Sequence, residues 1–264
     1  MTVNSYLSSF ASELVIDEDE REGIDKSIST IKERLQLFFG SEVTNKIVFG
    51  SYTRRTILPR IADDHSDIDL MVVFGYNSEK YQPQTYLGRL KKFAEKYYST
   101  SIIHQSRPSI VIELNHIRFE LTPATIPYGY SSGTYLIPKN TSEWLYTSPN
   151  DFNDKLTKCN ENNVYKIKPI VRLIKRWNVT KNYRSTPSFY IEKEIAENML
   201  YSYLSCTSYV EYAIMALKTI RNYENSELVD IALDRIDRAL TYESNGEADK
   251  AISEIKKVFP ELYW

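Results

Sequence analysis

The sequence predicts an α+β fold: a sheet with flanking helices, followed by a helical lobe. Two observations carry that expectation. Short apolar or alternating runs that suit strands all fall before about residue 150, at Ile47-Val48-Phe49, Asp67–Phe74, Ser109–Leu114, Ile117–Thr122 and Tyr135–Pro138. Helical spacing dominates afterwards, from Val164 to Asn178 and from Glu192 to the end. A single boundary near residue 150 is therefore expected, dividing the chain into 1–150 and 151–264.

Taken in order, Arg21–Phe39 places Ile24, Ile28, Ile31 and Leu35 at helical spacing. Acidic residues precede it and Gly40 follows, the usual polarity of a helix start and stop. Lys46–Gly50 is the first strand. Ser51 then opens a turn or helix whose N–H groups attract phosphate oxygens, and Gly50 lets the backbone come close to them. Arg54 and Arg55 suit either solvent or a polyphosphate. Residues 57–66 form a polar connection with His65 on the surface. Gln84–Tyr98 reads as a helix whose basic residues, Arg89, Lys91, Lys92 and Lys96, form a solvated face. Ser109–Leu114 and Ile117–Thr122 make a hairpin around Asn115-His116, and Tyr135–Pro138 is the last strand expected.

The helix from Val164 puts Ile167, Ile170, Val171 and Ile174 on one face, with Pro169 tolerated in the first turn. Lys168, Arg172, Lys175 and Arg176 gather on the other. From Val164 to Arg184 there are seven basic residues and no acidic one, which fits either a solvated face or a surface for RNA. Ser188 stands where the next helix can begin, a position where Ser usually caps it, with Glu192 one turn later. Ile231–Leu240 and Ala248–Ile255 are two amphipathic helices around a break at Gly246.

Chemistry concentrates in Asp67-Ile68-Asp69. Alternate side chains of a strand share a face, so the two carboxylates point the same way and repel unless a positive charge lies between them. A hard divalent cation with oxygen ligands fits, Mg²⁺ above all. Two cations need a third acid, and Glu120 supplies one, facing away from its neighbours Phe119 and Leu121. Glu113 is the rival candidate.

This ordered set resembles the polymerase-beta superfamily of nucleotidyltransferases, and most closely its CD-NTase branch, the bacterial relatives of cyclic GMP-AMP synthase and oligoadenylate synthase. The matching residues are Gly50-Ser51, Thr56, Asp67-x-Asp69, and Glu120 before Pro123-Ala124, and the stretch from Tyr135 to Asn162 extends the match. The family more often has Asp where this chain has Glu120. The resemblance implies a polymerase-beta-type nucleotidyltransferase lobe, a mixed sheet flanked by helices with a spanning N-terminal helix, and a C-terminal helical lobe completing the nucleotide cleft. It implies Asp67, Asp69 and Glu120 as catalytic metal ligands for two Mg²⁺, with Mn²⁺ as substitute. Gly50, Ser51, Thr56, Lys175 and Ser188 become nucleotide contacts, while Glu192 is left structural.

The implied activity joins nucleoside triphosphates, ATP or GTP or pyrimidine NTPs, into a cyclic di- or trinucleotide messenger for antiphage defence, with an RNA or protein activator. Two alternatives stand beside it: addition of NMP to RNA or a protein, and a catalytically weak regulator that binds nucleotide or RNA. The net charge of −2 argues against a protein that coats nucleic acid. Cys159 and Cys206 have neither metal nor disulfide spacing, there is no signal-peptide pattern, and no apolar run nears the ~20 residues of a membrane helix, so a cytoplasmic location is expected.

Overall fold

The computed structural model describes residues 1–75, 81–106, 108–127, 133–198 and 205–262. In chain order its elements are α1 (Val3–Glu13), α2 (Glu18–Phe39), β1 (Val43–Phe49), α3 (Gly50–Arg54), β2 (Asp67–Phe74), α4 (Pro83–Tyr97), β3 (Ile102–Ser106), β4 (Ser109–Glu113), β5 (Arg118–Thr125), β6 (Tyr135–Pro138), β7 (Trp144–Thr147), α5 (Asp151–Asn162), α6 (Ile167–Thr180), α7 (Ser188–Glu197), α8 (Tyr209–Ile220), α9 (Ser226–Ser244) and α10 (Ala248–Val258). They form two compact units. A sheet unit holds Asp17–Thr53 and His65–Asp151; a helical unit holds Met1–Ile16, Arg54–Asp64 and Phe152–Trp264.

Among the described residues the sheet has seven strands. Its path is β1-β2-β5-β4-β3, with β6 added on β5 and β7 on β6. β2 and β5 run parallel and the other pairs antiparallel, so the sheet is mixed. The two faces of β2 differ. Ile68, Leu70, Val72 and Phe74 point to one side and are fully buried. There the Phe74 ring meets Phe39 of α2 at 5.2 Å and Tyr86 of α4 at 5.0 Å. The opposite face carries a small apolar cluster of Met71, Val73 and Ala124, packed by Ile47, Phe49, Tyr135 and Ile137, before it turns acidic at Asp69 and Asp67.

The sheet departs from expectation at its edges. Tyr135–Pro138 is not the last strand, because β7 pairs with it from Pro138↔Trp144 to Tyr135↔Thr147. β3 pairs with β4 along its whole length, although its His-Gln-Ser end carries no alternating apolar face. Arg89 is not part of a solvated face either: its guanidinium lies over the Phe39 and Phe74 rings, at 5.4 and 5.2 Å, and pairs with Glu42.

In the helical unit, α1 presents Val3, Leu7 and Phe10, and its C-cap Leu14, at helical spacing to a core that includes Trp177 of α6, Ile191 of α7 and Phe259. The Tyr6 hydroxyl donates to the Phe259 carbonyl at 2.6 Å. Leu58 and Ala62 join the same core. The units are therefore not the two consecutive halves 1–150 and 151–264, since residues 1–16 and 54–64 pack with the later helices. α2 lies wholly inside the sheet unit. Among the described residues no helix is long and apolar enough to cross a membrane.

Candidate active site

The acidic site is built by three strands of the sheet unit. β1 pairs with β2 and brings Phe49 opposite Asp69, and the chain then turns at Gly50 with φ 77°. A Cβ at Gly50 would fall inside the Asp69 carboxylate, so both the backbone angle and the space require glycine. Asp67 and Asp69 share the half-buried face of β2. The parallel neighbour β5 sets Arg118 beside Asp67 and Glu120 beside Asp69. Register partners on adjacent strands lie ~4.8 Å apart, so the backbone delivers the third acid next to the pair.

The side chain of Glu120 is engaged elsewhere. One oxygen pairs with the Arg118 guanidinium, and the other accepts from the Ser109 hydroxyl at 3.0 Å. Arg118 Nε also lies 3.7 Å from Glu113, the rival acid, which sits opposite it on β4. Burial pulls the Arg118 pKa down, but Glu120, Asp67 and Glu113 together carry it above its ordinary value. The expected convergence of three carboxylates is therefore corrected. They share one face through the register, yet among the described residues no three acidic, His or Cys side chains come close enough to hold a metal ion. The donor set itself, carboxylate oxygens on a rigid sheet, fits Mg²⁺ or Mn²⁺ once Glu120 leaves Arg118. Sequence reasoning passed over Arg118, although its place two residues before Glu120 puts both on one face.

The remaining predicted residues fall into two groups. Gly50 and the half-buried Ser51 belong to the sheet unit beside Asp69. Thr56, Lys175 and Ser188 belong to the helical unit. Two of those meet on a residue expected to be merely structural, Glu192. This carboxylate is 0% exposed. It pairs with Lys175 and Arg54 and accepts from the Thr56 hydroxyl at 2.9 Å. Lys175 also donates to the Thr56 carbonyl at 3.1 Å. Burial acts to raise the Glu192 pKa, but the two cations outweigh it and hold the group below its ordinary value. Arg54, open at the sequence level between solvent and polyphosphate, is thus a buried partner of Glu192, its guanidinium over Phe152 and Phe189 at 5.8 and 5.3 Å. Ser188 is the exposed first residue of α7, and the cap position is Pro187, with no side-chain cap bond. Ser188 therefore does not serve as the cap.

The basic face of α6 is turned to the unit's own groups: Arg172 and Lys175 are buried, Lys168 and Arg176 half-buried. Arg172 donates to the carbonyls of Arg55, at 2.9 Å, and Ala11, at 3.5 Å. Arg176 donates to the Ala62 carbonyl and Lys168 to the Thr157 hydroxyl. Burial pushes Arg172 down to about 10 and lowers Lys168 and Arg176 as well. With Lys175 on Glu192, the four basic residues of α6 within the 164–184 stretch are all engaged by this unit's own groups.

The Second Messenger Oligonucleotide or Dinucleotide Synthetase domain matches residues 1–160. The chain is 25% identical to a probable cyclic nucleotide synthase of Bacillus cereus, over 85% of this chain and 82% of that one. It is 26% identical to the cyclic AMP-AMP-AMP synthase of an Acinetobacter species, over 74% of this chain and 57% of that one. Among solved structures it is similar to CdnC of Escherichia coli MS115-1 in its complex with HORMA-deltaN. That likeness has a TM-score of 0.74 at 14% identity, covering 99% of this chain and 98% of that one.

Proposed function

Because the chain belongs to the Second Messenger Oligonucleotide or Dinucleotide Synthetase family, the CD-NTase nucleotidyltransferases, we propose that it joins nucleoside triphosphates into a cyclic di- or trinucleotide, in a Mg²⁺-dependent reaction that releases pyrophosphate and serves antiphage defence. The observation that carries this reading is the placement of Asp67 and Asp69 beside the Gly50 turn, with Glu120 as register partner on β5. The trinucleotide option draws on the Acinetobacter relative, whose name states a cyclic AMP-AMP-AMP product. A protein activator is part of the proposal because the structurally similar CdnC forms a complex with a HORMA protein.

In this reading Asp67, Asp69 and Glu120 hold the divalent cations. Bound cations supply charge neutralisation at the triphosphate and a lowered pKa at the attacking hydroxyl. The Gly50-Ser51 backbone donates to phosphate oxygens. Lys175, held in place by Glu192, and Ser188 at the start of α7 contact the donor triphosphate; Thr56 contributes through its bonds to Glu192 and Lys175. Glu120 accepts the proton of the acceptor ribose hydroxyl, whose oxygen attacks the α-phosphorus in line and expels pyrophosphate. Positioning and electrostatics carry most of the rate.

The test is incubation with labelled NTPs and Mg²⁺ alone, phosphatase treatment, and mass spectrometry of what survives. A small phosphatase-resistant product is expected. Asp69→Asn should lower pyrophosphate release by about a hundredfold or more while leaving the circular dichroism spectrum unchanged. Label attached to added RNA or protein, with no small labelled product, would point instead to NMP transfer onto those acceptors. The engagement of both Glu120 oxygens favours a second reading, a nucleotide-binding regulator. No pyrophosphate from any NTP with Mg²⁺ or Mn²⁺ is the result that would favour it.

A further inference from the structure

Arg118 has three carboxylates around it. Glu120 shares its strand and face, Asp67 is its register partner on β2, and Glu113 is its register partner on β4. Its side chain is 16% exposed and that of Glu120 19%, so water does little to separate them. Its Nε is buried and makes no hydrogen bond, although it lies 3.7 Å from Glu113. The guanidinium thus holds Glu120 in one bond and is already within ion-pair distance of a second carboxylate.

We propose that Arg118 is a two-position latch on the third acid: it holds Glu120 before a divalent cation binds, and hands it over by moving to Glu113. A guanidinium and a divalent ion competing for one carboxylate repel each other at close range, so the hand-over is needed for Glu120 to become a ligand. Glu113, otherwise a rival for the catalytic role, becomes the receiving partner that keeps Arg118 paired while it stays half-buried. Arg118 is then a positioning residue that sets how readily the site loads. This inference rests on the reading of Asp67, Asp69 and Glu120 as cation ligands.

The test measures Mn²⁺ binding to the full-length protein by electron paramagnetic resonance, with a non-hydrolysable ATP analogue present. Asp69→Asn should abolish the tight Mn²⁺ signal; if the unaltered protein shows none, the reading of the acids as cation ligands fails and the latch with it. Given that signal, Arg118→Gln should bind Mn²⁺ about fivefold more tightly or better, the scale on which one nearby charge shifts a partly buried site. Glu113→Gln should bind it several-fold more weakly, because every acid then left beside Arg118 is one the cation needs. Unchanged or weaker Mn²⁺ binding by Arg118→Gln would overturn the latch alone and leave the ligand assignment standing. Should Arg118→Gln fail to fold, Arg118→Met takes its place: it also removes the charge, and tighter binding supports the latch while unchanged or weaker binding overturns it.

Discussion

Gly50 shows how one missing side chain can organise a site. Its positive φ turns the chain at the end of β1, and the space a Cβ would need is filled by Asp69. Gly50→Ala should therefore cost about 1–3 kcal/mol of stability from backbone strain and displace Asp69. Urea unfolding and pyrophosphate release, measured together, would read both effects. Glu192 is the second residue with consequences beyond its own position. Replacing it by Gln leaves Arg54 and Lys175 buried without their counter-charge, a change expected to cost about 3–5 kcal/mol. The pH dependence has a definite sign. The folded pKa of Glu192 lies below the ordinary carboxyl value of 4.5, so its stabilisation is fully present above that value and is lost as pH falls through the depressed one. The urea midpoint of the unaltered protein should therefore fall more steeply below pH 4.5 than that of Glu192→Gln. Identical acid limbs would contradict the pairing. Glu192 was legible in the sequence only as one turn of helix beyond Ser188. Its partners at 54, 56 and 175 are distant in the chain, and no spacing rule links them.

Elements differed in how openly they announced themselves. β2 and β5 carry an alternation that matches the observed two-faced burial, and the Arg21–Phe39 helix grew at its start only to Glu18. β3 and β7 were not read because an edge strand buries one side at most and leaves no clear period. α1 was legible in principle, through Val3, Leu7, Phe10 and Leu14, and its stripe is what draws the first residues to the later helices. α8 begins with a capping box in which Ser208 and Glu211 satisfy each other's backbone N–H groups. Four bonds from Thr207 and Ser208, backbone N–H groups first, hold the Glu211 carboxyl down to about 2. Ser208→Ala should lower stability by about 1 kcal/mol, read as a lower urea midpoint with unchanged slope. A change in slope would mean that the substitution alters more than the cap.

At the scale of the whole molecule, charge decides what the chain can recruit. A net charge of −2 gives no general attraction to nucleic acid, and the basic residues of α6 are engaged by carbonyls, the Thr157 hydroxyl and Glu192 within the helical unit. Added RNA is therefore expected to leave turnover of NTPs within about twofold, in contrast to a protein activator; a larger, salt-sensitive stimulation by RNA would show that another surface binds it. The sequence by itself determined the fold class and the acidic strand, because period-two burial and a glycine turn are local properties that few residues specify. It also determined that Glu120 lies on the face of Asp67 and Asp69, once β5 pairs beside β2. Only the tertiary structure decided where the cations go. Arg118 meets Glu120 and Glu113 through strand register, Arg54 and Lys175 converge on Glu192 from separate segments, and residues 1–16 and 54–64 join the later helices. Ion pairs of this kind form between groups brought together by packing, and linear spacing holds no record of them.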